Sequence, residues 1–130
     1  MSTRAIIALP VNGGYETAWN WNDGGPSSLG AELRRYFKTE YQARELIAAH
    51  SFSVVCGEKY MNDLIRSFPE MVNKYQFRRL SNNRYIHQYE KDGRVVVGGE
   101  NGFLATIDEM LQQDLNYVYV FENGRWKTYK

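Results

Sequence analysis

The period of apolar and polar positions changes several times along the chain, and each change marks an element. Residues Thr3 to Leu9 form a short apolar run, the pattern of a buried strand, closed by Pro10 and the turn formers Asn12-Gly13-Gly14. Tyr15 to Trp21 resumes an extended pattern, which predicts a first hairpin. The stretch from Asn22 to Ser28 is dense in turn formers. Ser27 or Ser28 is placed to cap a helix whose Leu29, Leu33, Tyr36 and Phe37 recur at helical spacing. Thr39 can cap a second helix, with Ala43, Leu46, Ile47 and His50 on one face and Glu40 and Arg44 one turn apart.

Phe52 to Cys56 is short and β-like. Met61, Leu64, Ile65 and Phe68 form a helical stripe that ends near Pro69, because the residue before a proline resists the helical region. From Met71 to Asn83 the pattern is ambiguous. Tyr85, His87 and Tyr89 alternate with Ile86 and Gln88, and Lys91-Asp92-Gly93 turns the chain into Arg94 to Gly98 as a hairpin. Thr106 and Glu109 suit a capping box for a helix from Ile107 to Gln113, with Ile107, Met110 and Leu111 toward the core. Asn116 to Phe121 and Arg125 to Tyr129 flank Asn123-Gly124, which supplies the positive φ angles of a tight turn. With no internal repeat and no linker, residues 1–130 read as one α+β domain: a single antiparallel sheet built from hairpins, with three to four helices packed on one face.

Composition narrows the classes without naming one. The 130 residues are 43% hydrophobic, enough for a real core without staples. Sixteen Lys+Arg against fifteen Asp+Glu leave a formal charge of +1, so neither a strongly basic nucleic-acid binder nor an acidic DNA mimic is implied. The lone Cys56 cannot form an internal disulfide, which suits a reducing, cytoplasmic compartment, and no segment approaches a membrane span. A membrane partner is not expected.

The densest unusual cluster is Trp19-Asn20-Trp21-Asn22-Asp23-Gly24-Gly25-Pro26. Two tryptophans two residues apart on a strand face one surface, and as a platform they would hold a base, a sugar or a partner's apolar anchor. Asn22, Asp23 and the first amides of the helix near Ser28 would add polar contacts, and Arg4 can reach Asp23 or a ligand anion. The competing reading has the tryptophans plugging the core while Asp23 caps the loop.

Cys56, His50 and His87 are the nucleophile candidates, but no paired spacing marks a metal site and no cofactor motif is present; Gly98-Gly99-Glu100-Asn101-Gly102 reads as a plain turn. Arg34, Arg35, Lys74, Arg78, Arg79, Arg84 and Arg94 lie near Tyr36, Tyr75, Phe77 and Tyr85 in sequence, a mix that can contact phosphates and stack bases, diluted by interleaved acids. Tyr117, Tyr119, Phe121 and Trp126 give the terminal hairpin enough aromatic surface for a homodimer interface, unless the rings pack under the helices.

Ser2-Thr3-Arg4 before a strand, the loop Trp21-x-Asp23-Gly24-x-Pro26, Leu29-Gly30 with Leu33, and the tail Tyr117-x-Tyr119-x-Phe121-x-Asn123-Gly124-x-Trp126 together resemble a group of small phage and plasmid accessory proteins. The match covers about the first 35 and the last 30 residues, not the middle. Gly25 stands where that group has an aromatic residue, and Asn20 where a histidine is common. The resemblance implies a mobile-element setting in a host cytoplasm and an anti-defence role, such as inhibition of host immunity or CRISPR, exerted by binding a host or defence-system protein or a small anionic ligand without catalysis. A nucleic-acid-binding module is the alternative, and a small nucleotide-processing enzyme is a third.

Overall fold

In the computed structural model the described residues are 3–69, 77–88, 90–91, 94–95 and 102–130. The first element is β1 (Ala5–Val11), which turns through Gly13 (φ 84°) into β2 (Gly14–Asn20). A π-helical turn at Pro26–Gly30 runs directly into α1 (Ala31–Tyr36), and α2 (Glu40–Ile47) follows. Next come β3 (Ser51–Phe52), β4 (Val54–Cys56) and α3 (Glu58–Ser67). The second half holds β5 (Phe77–Arg79), β6 (Tyr85–His87), β7 (Glu90–Lys91), β8 (Arg94–Val95), β9 (Phe103–Leu104), α4 (Ile107–Leu111), β10 (Tyr117–Glu122) and β11 (Arg125–Tyr129).

The fold is α+β, but its sheet is neither single nor purely antiparallel. The main sheet has the order β11-β10-β1-β2-β3, with β9 also on β2. β1 lies parallel to β10, from Ala5 opposite Tyr117 to Ala8 opposite Val120, and β2 lies parallel to β3; the hairpins β1–β2 and β10–β11 are antiparallel. A second, antiparallel sheet has the order β4-β6-β5, and β7 pairs with β8. The long connection between the two hairpins lets β10 return beside β1 in parallel, which a meander of hairpins cannot do.

The helices also take both faces of the main sheet. Ala5, Ile7 and Leu9 point toward Leu29, Leu33, Phe37 and the apolar face of α2, whereas Ile6 and Ala8 point toward Met110 of α4, with Val118 and Val120 beside them. A strand that alternates between two cores must be apolar at every position, which is why β1 reads as an unbroken hydrophobic run. The strand continues through Pro10, which pairs with Tyr15. Pairing of β1 with β10 ends at Ala8, so the proline's missing N–H falls where that edge is open.

The caps follow the sequence closely at α2, where Thr39 Oγ1 accepts from the Gln42 amide and Gln42 reaches back to Thr39. At α4 Thr106 Oγ1 accepts from Glu109 N, while Glu109 reaches one residue further back, to Ala105 N. The first helix starts differently, since Gly25 precedes the π-turn and Ser28 lies inside it. His50 falls beyond α2, exposed and with φ 65°. Residues 71–76 of the ambiguous stretch and 98–101 of the turn at 98–102 lie outside the described residues, as do Tyr89 and the turn residues Asp92 and Gly93. Among the described residues no helix is long and apolar enough to cross a membrane.

Candidate functional site

The geometry of the site begins at the C-terminal end of β2. Alternation along the strand sends Trp19 and Trp21 to the α4 side of the sheet, where their rings stack 5.3 Å apart. Trp19 is 8% exposed, and Trp21 donates from Nε1 to Ser51 Oγ. The two rings thus pack the second core rather than forming an open platform. Asn20 and Asn22 take the opposite side, so strand geometry splits the proposed cluster in two.

On that opposite side a cleft of about 280 Å³ opens between the Asn20–Asp23 segment, the π-turn and α1, β4 and the first turn of α3. Its lining includes Asn20, Asp23, Ser28, Glu32, Tyr60 and Arg84, with Leu29 and Val55 as apolar wall. The segment over it is tied down at every step. Trp21 N donates to Phe52 O, Asn22 N to Ser53 O, Gly24 N to Thr3 O, and the buried Tyr119 hydroxyl to Gly24 O at 2.7 Å. Asp23 holds φ 56°, in the left-handed region that aspartate and asparagine tolerate best among residues with a side chain. Its carbonyl accepts from Ser28 Oγ and Leu29 N.

One wall of the cleft is a two-toothed ion pair. Arg84 donates from Nε and Nη2 to the Glu32 carboxylate at 2.5 and 2.7 Å, and its guanidinium lies 3.9 Å over the Tyr36 ring. Burial works against the Arg84 charge, but the hydrogen bonds and charge of Glu32 outweigh it and raise its pKa. Gly57 permits this placement, because a Cβ there would come within 2.6 Å of Arg84 Nη1. Beside the pair, burial pushes the Cys56 thiol up to about 11, against the smaller opposing effect of Arg84. Burial also lowers the His87 pKa. A thiolate–imidazolium pair requires both shifts reversed, so Cys56 is held as a neutral thiol. At the rim, Tyr60 has its pKa raised by burial and then by the charge of Asp23.

At the base of the cleft, Asn20 is 1% exposed; its Nδ2 donates to Ser53 O at 3.0 Å. Among the described residues its Oδ1 has no hydrogen-bond partner. An amide oxygen left this way forfeits on the order of 1–3 kcal/mol; it packs against Gly24, where a Cβ would stand 3.0 Å from it.

The remaining sequence candidates have other places. Arg4 pairs with Asp114 at 3.3 Å, rather than Asp23, and its backbone amide donates to Asn116 Oδ1. Tyr119 and Phe121 are buried beneath the helices, with Tyr117 stacked on Tyr119 and Trp126 tilted against Phe121. Trp126 Nε1 donates to Phe37 O, so the terminal aromatics knit the hairpin to α1. Of the basic residues noted near aromatic rings, Arg34 donates to Thr128 and Arg79 to Asn83, while Lys74 lies outside the described residues. Among the described residues no cluster of three metal-ligating groups occurs.

Asn22, Asp23 and Ser28 therefore meet in one cleft, joined by Asn20, Glu32, Tyr60 and Arg84, which sequence reasoning did not select for the site. The signal for Asn20 was its alternation with the tryptophans. Glu32 and Arg84 lie 52 positions apart, and no local pattern links them. No family model, curated protein or solved structure matches the chain.

Proposed function

We propose that the protein is a non-catalytic binding protein that holds a small polar ligand in the cleft beneath the Asn20–Asp23 segment. The observation that carries this reading is the cleft itself, about 280 Å³ between the Asn20–Asp23 segment, α1, β4 and α3, with Asn22, Asp23, Ser28 and Tyr60 around an apolar wall of Leu29 and Val55. The surrounding chemistry favours binding over turnover: the thiol is neutral and the strongest charged pair is closed on itself. The resemblance of the two ends of the chain to small phage and plasmid proteins supplies a setting, an accessory factor of a mobile element acting against a host defence. Sequestering a small molecule is a role that suits such a setting.

Native mass spectrometry of freshly purified protein, compared with its denatured mass, tests the reading. A reproducible excess mass per protomer, released on denaturation and absent from the Asp23→Asn variant with a retained circular-dichroism spectrum, is the expected result. A ligand-free native mass that persists after incubation with host-cell extract overturns it in favour of a protein partner.

A further inference from the structure

The outer edge of the main sheet is a second surface, and it shares no residue with the cleft. Among the described residues β11 pairs with β10 alone, and its Arg125, Lys127 and Thr128 are exposed. The register fixes which of its backbone groups look outward. Asn123 and Gly124 both hold positive φ, so the turn is of the two-residue kind whose flanking pair, Glu122 and Arg125, exchanges both hydrogen bonds. Alternation makes Val120 with Lys127 and Val118 with Tyr129 the next bonded pairs, which leaves the N–H and C=O of Trp126 and Thr128 pointing away from β10. Among the described residues none of these four groups has a hydrogen-bond partner.

The side chains give this edge a sign. Trp126 and Thr128 lie on the α1 side, where Trp126 donates to Phe37 O and Arg34 donates to Thr128 Oγ1 at 3.0 Å. Arg125 and Lys127 stand on the other side. The strand thus carries two cations and no acid, with Arg34 as a third cation along its flank, in a chain whose charges nearly cancel. Glu122 offsets one of them through an exposed 3.6 Å pair with Lys127, an interaction of small worth. A second copy of this edge would set cations against cations, which disfavours self-pairing. A strand with acidic residues at alternate positions instead gains main-chain bonds to Trp126 and Thr128 and cross-strand pairs with Arg125 and Lys127. We propose that β11 is a docking edge for an extended acidic segment of another protein, which adds to the main sheet as an outer strand.

The probe is a short acetylated peptide alternating Glu and Val, compared with the same peptide carrying Lys for Glu and with one methylated at every backbone nitrogen, which keeps the charge and removes the donors. Amide NMR titration and hydrogen exchange read the result. The Glu peptide is expected to shift residues 125–129 saturably and to slow exchange at Trp126 and Thr128 more than at Lys127, whose amide β10 already protects. Arg125→Glu should weaken binding about fivefold or more. Thr128→Pro removes one outward N–H and no ladder bond, so it should remove the slowed exchange at Trp126, whereas Thr128→Val keeps the N–H and should bind as the unmodified chain does. Should Thr128→Pro fail to fold, the methylated peptide decides. Equal binding of the Lys peptide or of the methylated peptide overturns the proposal, as do shifts only elsewhere or no binding at all. A single-stranded DNA oligonucleotide that outcompetes the Glu peptide at this edge overturns it in favour of nucleic acid, and a dimer of the protein alone that Arg125→Glu alters overturns it in favour of a second copy.

Discussion

Tyr119 shows how a single side chain joins core and site. Its ring is fully buried, yet its hydroxyl donates to the carbonyl of Gly24, in the segment beside the cleft. Tyr119→Phe keeps the ring and leaves that carbonyl without its donor, so a loss of about 1–3 kcal/mol is expected in urea denaturation, with the midpoint lowered and the slope unchanged. Cys56 gives a pH signature. Its thiol ionises near 9 when unperturbed and at about 11 in the fold, so the folded state keeps a proton that the unfolded chain releases. Stability is fully present below pH 9 and falls as pH rises from 9 to 11, and Tyr119, pushed up to about 12, extends the decline above pH 10. Denaturation at pH 8 and pH 10.5 should show the drop, and Cys56→Ala should reduce it. His87, whose pKa is lowered, contributes in the other direction: its stability is present above pH 6.5 and is lost on acidification below it.

At the level of elements, caps and turns were legible because their chemistry is local. The Thr39 box, the Glu40–Arg44 pair and the Asn123-Gly124 turn, with φ 54° and 75°, all occur where spacing placed them. Thr39→Ala should cost about 0.5–2 kcal/mol, visible as lower thermal stability. What local pattern does not reveal is a change of sheet. Between Phe52 and Val54 the chain leaves the main sheet for the second, pivoting at Ser53, which donates its amide to His87 O. That step depends on β6, more than thirty residues away. The stripe on α3 was equally legible, but none of its residues is fully buried, with Met61, Leu64 and Ile65 only half-covered and Phe68 48% exposed. A helix anchored so lightly opens locally at low cost. Hydrogen exchange should therefore be faster in α3 than in α2.

Across the whole molecule, the sheet divides the apolar interior into two compartments, one under α1 and α2 and one under α4. Leu33→Ala and Met110→Ala each remove a fully buried side chain, one from each compartment, and each should cost about 2–5 kcal/mol. The double variant should match the sum within about 0.5 kcal/mol in chemical denaturation, because the two sites share no partners across the sheet. This two-sided arrangement was implicit in the unbroken apolar run of β1, since an antiparallel sheet with one wet face would alternate there. The split of Trp19 and Trp21 from Asn20 and Asn22 was implicit in the same way. Only long-range pairings, such as Glu32 with Arg84, left no trace in local periodicity.

The parallel seam between β1 and β10 has a consequence for synthesis. β1 leaves the ribosome more than a hundred residues before β10, one of its two neighbours. Until that neighbour emerges, a strand apolar on both sides waits with one edge unpaired, a state prone to sticking to other nascent chains. Folding should be governed by this late closure, and a chaperone that shields the first hairpin during translation should raise the yield of native protein more than one acting after release.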